Sequence, residues 1–265
     1  MLGPALERLL GGDGDVSHGR PCLSPRWRRT RALEHGGRRV HQPLYEWDRR
    51  LRLLVRAVWL GGPGRRVRRG RCQRRLSVTY YNTCLSAEYA AAARTGNAAL
   101  YINTGYDSSY TAIDGRHTTQ ACANSSQAIS ATPTEQAAWA VGCSEAQQDL
   151  SYAAKQSAAS PTAWWLDVET ANSWSSSDLS LNRYTIQGIV DTLRPATAAP
   201  IGIYSTSYQW RVITGGYQAA VDANWVATGQ RTLKRAKGYC RSTGFTGAPV
   251  WLVQYVTTID NDYVC

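Results

Sequence analysis

The sequence predicts an α/β domain, a parallel sheet under helices, over residues 76–265. Three observations carry this expectation. From Leu76 onward short apolar runs rich in β-branched and aromatic residues alternate with longer helix-forming segments. Helices are closed by glycine or proline, or opened by a hydroxyl residue. Hydrophobic residues make up 43% of the 265-residue chain, enough to bury one large core or two modest ones.

The elements follow in order. LSAEYAAAARTG (85–96) is a run of good helix formers ended by Gly96, and ALYIN (99–103) is the strand after it. TEQAAWAVGCSEAQQDLSYAAKQSA (134–158) reads as a longer helix with Thr134 as its N-cap, and AWWLDVE (163–169) as the next strand. LNRYTIQGIVDTLR (181–194) is amphipathic and is expected to stop at Pro195; PIGIYST follows as a strand. NWVATG and PVWLVQYV complete the series. Strand, helix, strand, helix argues for parallel pairing.

Residues 1–75 are different in kind. They hold 19 Arg, no Lys and 6 acids, a balance of +13, whereas residues 76–265 carry 11 basic and 13 acidic side chains. The net charge of +11 therefore belongs to the head, which shows no sustained period of 2 or 3.6 and reads as disordered or non-native. A nucleic-acid arm is one reading of GRRVRRGRCQRR. Arginine without lysine is also what GC-rich DNA yields out of frame. One nucleotide further on, the bases of Val67–Arg75 permit Phe-Gly-Val-Val-Gly-Val-Asn-Gly-Gly, a strand-like stretch. Those of Arg50–Trp59 permit Gly-Tyr-Asp-Phe-Ser-Phe-Ala-Gln-Cys-Gly.

No stretch approaches the roughly 18 apolar residues of a membrane span. MLGPALERLL lacks the apolar core of a signal peptide. Seven cysteines, Cys22, Cys72, Cys84, Cys122, Cys143, Cys240 and Cys265, are widely spaced, with no CxxC pair and no histidine at metal-ligand intervals. That favours disulfides in an oxidising compartment over zinc, and the odd count leaves at least one thiol without an intramolecular partner.

In WWLDVE, strand alternation puts Trp165, Asp167 and Glu169 on one face and Trp164, Leu166 and Val168 on the other. Two acids and an indole at a strand end can form a sugar site, because paired carboxyls can divide glycoside cleavage between a protonated and an ionised member. The alternative is that these acids cap the next turn and meet Arg183 or a backbone amide.

WWLDVETANSW, PIGIYSTSYQW, ANWVATG and PVWLVQYVTTIDNDYVC, in that order, resemble glycoside hydrolase family 25, and within it an actinobacterial secreted subgroup. The resemblance implies a (β/α)8 TIM-barrel-like fold, incomplete at the N-terminus, with residues 76–265 as the domain and the frame-shifted words standing for its first two strands. Loss of those strands would leave open sheet edges. Asp15, in GDGDVSHG, repeats a family word but has no strand around it.

By the same resemblance Glu169 is the general acid, Asp167 its partner, and Asp260, in preference to Asp262, the carboxylate just after the last strand. Tyr204, Trp165, Trp225, Trp251, Gln254 and Asp262 are the substrate-binding candidates, with core packing as the alternative for the aromatic ones. The implied substrate is the N-acetylmuramic acid link of peptidoglycan, with no metal or organic cofactor, no nucleic acid, no membrane span, and a secreted monomer. A non-catalytic polysaccharide-binding barrel is the alternative, and an Arg-rich nucleic-acid-binding head a third reading. Loop spacing suggests the pairs Cys122–Cys143 and Cys240–Cys265, leaving Cys84 without its mate.

Overall fold

The computed structural model describes residues 82–265, apart from 83, 95, 97, 258 and 259, together with the backbone of Ala57–Trp59. The decoded words at Val67–Arg75, Asp15 and the basic run 65–75 lie outside the described residues. Seven strands form one curled sheet in chain order: β1 (Ala57–Trp59), β2 (Ala99–Asn103), β3 (Trp164–Asp167), β4 (Ile201–Ser205), β5 (Ala223–Gln230), β6 (Val250–Val256) and β7 (Asp260–Val264). The first six pair in parallel, as the alternation predicts. A complete eight-stranded barrel is not formed by these strands.

Two expectations are corrected at the sheet's ends. The stretch Ala57–Trp59, read as part of a head without periodicity, pairs in register with Ala99–Tyr101. Backbone hydrogen bonding to an existing edge needs no side-chain pattern. The second correction is β7, which returns antiparallel along β6, so Asp260 and Asp262 lie within the last strand rather than after it. Both residues are then held in register, Asp260 opposite Val256 and Asp262 opposite Gln254.

Helices α1 (Leu85–Ala93), α2 (Gln120–Ser126), α3 (Pro133–Lys155), α4 (Leu179–Ala196), α5 (Ser207–Thr214) and α6 (Leu233–Ala236) connect the strands. α3 begins at Thr132, not Thr134. The Thr132 side chain accepts from the Glu135 amide while Glu135 Oε2 accepts from the Thr132 amide at 2.9 Å, a reciprocal capping box with Pro133 in the first turn. α4 passes through Pro195 and ends at Ala196, because a proline in the last turn forfeits only one hydrogen bond there.

The sheet's two faces bury different chemistry. Leu100, Ile102, Trp164, Leu166, Ile201 and Ile203 face an aliphatic layer that includes Ile186, Ile189 and Leu193 of α4. The opposite face gathers Ala99, Tyr101, Trp165, Tyr204, Trp225 and Leu252. α3 and α4 meet through Gly142 and Gly188: a methyl at Gly142 would overlap the Thr185 carbonyl oxygen, and one at Gly188 the Trp139 carbonyl oxygen. Disulfides join Cys122 to Cys143 and Cys240 to Cys265, as expected. Cys84 is also disulfide-bonded, which corrects the expectation that it had lost its mate. Among the described residues no helix is long and apolar enough to cross a membrane.

Candidate active site

The site begins with the alternation of β3. Trp165 joins the inner aromatic cluster, while Trp164, Leu166 and Val168 pack on the helix side. Asp167, on the Trp165 face, closes the strand at 1% exposure, and Glu169 lies just beyond it, partly buried. Neither forms an ion pair among the described residues, and the Arg183 Nε donates instead to the Thr214 carbonyl at 2.5 Å.

Burial raises both carboxyls. Asp167 is pushed well above the usual range by desolvation and then by the charge of Glu169, against which hydrogen bonds from Tyr101 and Asn172 act. Its Oδ1 is buried with no hydrogen-bond partner among the described residues. Glu169 is raised by desolvation and by the Asp260 charge, and a hydrogen bond from Gln209 opposes the rise. Gln209, at the start of α5, also accepts from the Thr170 hydroxyl at 2.9 Å and the Thr170 amide at 2.5 Å. It therefore pins the loop that carries Glu169. Asn172 and the Trp174 indole close the same loop: the Asn172 amide and Trp174 Nε1 both donate to the Glu169 carbonyl, at 3.0 and 2.8 Å.

β7 brings in the other two acids. Asp262 accepts from Trp225 Nε1 at 2.9 Å and is raised to about 7 by burial, with the Asp260 charge adding to the rise. Asp260 itself is exposed. Tyr204 donates to Gln254 Oε1 at 2.9 Å; burial raises its hydroxyl, and the charges of Glu169, Asp167, Asp260 and Asp262 each raise it further. The charges of all four carboxylates thus reach Tyr204. Among the described residues no group of three His, Cys, Asp or Glu side chains could hold a metal ion.

The structure brings Asp167, Glu169, Asp260, Asp262, Tyr204, Gln254, Trp165 and Trp225 to one end of the sheet. The two indoles do not offer a ring face to a sugar. Trp165 and Trp225 are 2% and 6% exposed and meet edge to face at 5.6 Å between centroids, so they form the floor of the site. Trp251 is apart from them. It falls at the ladder irregularity where β6 slips between Val250 and Leu252, is 40% exposed, and lies outside the aromatic cluster. Sequence reasoning missed Tyr101 and Gln209. Tyr101 could have been found by alternation in ALYIN, whereas Gln209 sits in an eight-residue helix too short to show a period.

A family model described as Lysozyme-like protein 1 matches residues 78–230, which include β2 to β5 with Asp167, Glu169, Tyr204 and Trp225. Among solved structures, the chain is similar to a muramidase from Trichobolus zukalii, at 14% identity and a TM-score of 0.42, covering 71% of this chain and 77% of that one. It is also similar to the bacterial lysozyme from Streptomyces coelicolor, at 19% identity and a TM-score of 0.40, over 70% and 71% of the two chains. An uncharacterized B. stearothermophilus protein matches at 14% identity and a TM-score of 0.40, over 71% and 79%. No curated protein sequence matches the chain. The family match spans more than half of the residues, and the chain belongs to the lysozyme-like family that this model describes.

Proposed function

We propose that residues 76–265 form a glycosidase of the family 25 type that cleaves peptidoglycan or a related cell-wall polysaccharide outside the cell. In this reading the sheet is the larger part of an eight-stranded barrel. The observation that carries it is the carboxyl cluster itself: acids raised by burial and by one another, without a basic partner among the described residues, at the end of a parallel sheet. Lysozyme-like family membership supports the same chemistry, and the two described disulfides fit an oxidising compartment.

Glu169 is the general acid. Burial raises its carboxyl and so favours the protonated form, and it is the more open member of the strand-end pair. As it gives that proton to the glycosidic oxygen, the Gln209 hydrogen bond stabilises the carboxylate left behind. Asp260, exposed and close enough for its charge to be felt at Glu169, stabilises the positive sugar carbon or orients the attacking water. Asp167 is a positioning residue: at 1% exposure it acts through Tyr101, Asn172 and the Glu169 loop rather than by touching sugar. Release of soluble fragments from peptidoglycan by the protein and by Glu169→Gln tests the assignment. Loss of about 10²-fold or more is expected for removal of a general acid. Equal activity removes Glu169 from the mechanism.

A further inference from the structure

A basic segment covers the outer side of the sheet's last strands. Of the 11 basic side chains in residues 76–265, five fall within 231–241: Arg231, Lys234, Arg235, Lys237 and Arg241. No Asp or Glu occurs between Asp222 and Asp260. Residues 76–265 as a whole carry 11 basic against 13 acidic side chains, so the concentration is a local feature of the surface and not a share of a basic composition.

The fold presents these charges on a fixed support. α6 runs directly into a 3₁₀ turn (Lys237–Arg241), with Ala236 and Lys237 at the junction both in the right-handed helical region. The inward side of this run is held twice. Ala236 is fully enclosed in a cluster with Val226, Val250 and Val253, and Cys240, which packs against the same cluster, is bonded to Cys265 at the end of the chain. Lys237 Nζ lies 4.4 Å from the centre of the Tyr263 ring. Tyr263 packs with that outer cluster, whereas Asp262 beside it bonds Trp225 on the inner face, so the segment lies across the sheet from the carboxyl site. Arg231, Lys234, Arg235 and Arg241 are exposed and form no ion pair among the described residues.

We propose that this face binds a linear phosphodiester polyanion, a polyol-phosphate chain of the kind attached to cell-wall glycan, and so anchors the domain beside its substrate without occupying the carboxyl site. The proposal rests on the glycan reading above for where the polymer is met. Like charges held this close repel one another, and an anionic partner relieves that repulsion. Cations spread along a helical surface suit charges repeated along a chain better than a single small anion. The other exposed residues of 231–243 are Thr232, Gly238, Tyr239, Ser242 and Thr243. None is aliphatic, so the segment lacks the apolar face with which a basic helix enters a lipid headgroup layer.

The test compares two full-length variants of equal net charge. One carries Lys234→Gln, Arg235→Gln and Arg241→Gln; the other carries Arg94→Gln, Arg116→Gln and Lys155→Gln, which removes exposed cations elsewhere. Both keep the arginine-rich head, so a difference between them belongs to the segment. In calorimetric titration with poly(glycerol phosphate), the first is expected to bind about tenfold more weakly than the parent and the second within about twofold of it. Equal affinities of the two variants overturn the assignment. So does a loss in the first variant that is larger for phosphatidylglycerol vesicles or duplex DNA than for poly(glycerol phosphate). On glycan stripped of phosphate polymer the first variant is expected to release fragments as fast as the parent, and an equal loss on stripped and intact wall overturns the anchoring role. Activity retained by Glu169→Gln overturns the active-site reading while the titration still reports on the segment.

Discussion

Asp262 gives the sharpest physical test of the site. Its carboxyl is raised from 3.8 to about 7, by burial first and by the Asp260 charge second, while Trp225 Nε1 donates to it at 2.9 Å. A group whose folded pKa lies above its unfolded value binds more protons in the native state, so stability falls as pH rises between the two values. The window runs from about 4 to about 7, and the loss is complete above it. A rise of that size corresponds to about 4 kcal/mol for a fully enclosed group, and solvent access to the partly exposed carboxyl reduces it to about 2 kcal/mol.

Asp262→Asn keeps an oxygen for the Trp225 indole and removes the titration. The variant is expected to match the parent at pH 3.5 and to exceed it by about 2 kcal/mol at pH 8. Urea denaturation of both proteins at pH 3.5, 5, 6.5 and 8 measures the difference at each point. Two parallel stability profiles would refute the reasoning, since a buried carboxyl that titrates near 7 cannot leave the pH dependence unchanged.

Three other changes probe the frame that holds the acids. Gly188→Ala drives a methyl into the Trp139 carbonyl across the α3–α4 contact; despite the gain in helix propensity, a loss of about 2 kcal/mol is expected, read as a fall in Tm of several degrees. Gly202→Ala puts a methyl into the ring of Trp165, itself enclosed, and is expected to cost about 1–3 kcal/mol and to shift the near-ultraviolet circular dichroism of the indole cluster. Replacing Cys122 and Cys143 by serine opens a closed loop with a sequence separation of 21 and is expected to cost about 3 kcal/mol in chemical denaturation.

The strands that position the site were legible because each is apolar and feeds a helix. WWLD, IGIYS and ALYIN all fall where the pattern puts them, and the alternation of WWLDVE sorts Trp165 from Trp164 and Leu166 correctly. β7 was not legible. DNDYV is polar and only half-buried, and its place is set by backbone pairing with β6 and by the bond from Cys265 to Cys240. The capping of α3 was misplaced by two residues because Thr132 and Thr134 are equally good caps in isolation. What separates them is Glu135, three residues after Thr132 and able to return the hydrogen bond. Exposure was the least legible property. Trp225 and Trp251 both stand in strands near the site, but alternation cannot anticipate the register slip that exposes Trp251.

The spacing of Asp167 and Glu169 explains why one strand can supply two different acids. Residues two apart point the same way but stand about 6.6 Å apart along a strand, so a strand that ends between them leaves one inside the sheet and carries the other to its mouth. β3 ends at Asp167. Asp167 is therefore enclosed among Tyr101, Asn172 and the inner face, where its charged form is strongly disfavoured. Glu169, one step out, is raised less by burial alone and gains Gln209 and the field of Asp260. The same desolvation disfavours the charged form of both acids, and in the proposed mechanism the difference in depth separates the positioning role of Asp167 from the proton-donating role of Glu169. Extending β3 by two residues, so that Glu169 became as enclosed as Asp167, would leave its proton bound and out of reach of the substrate.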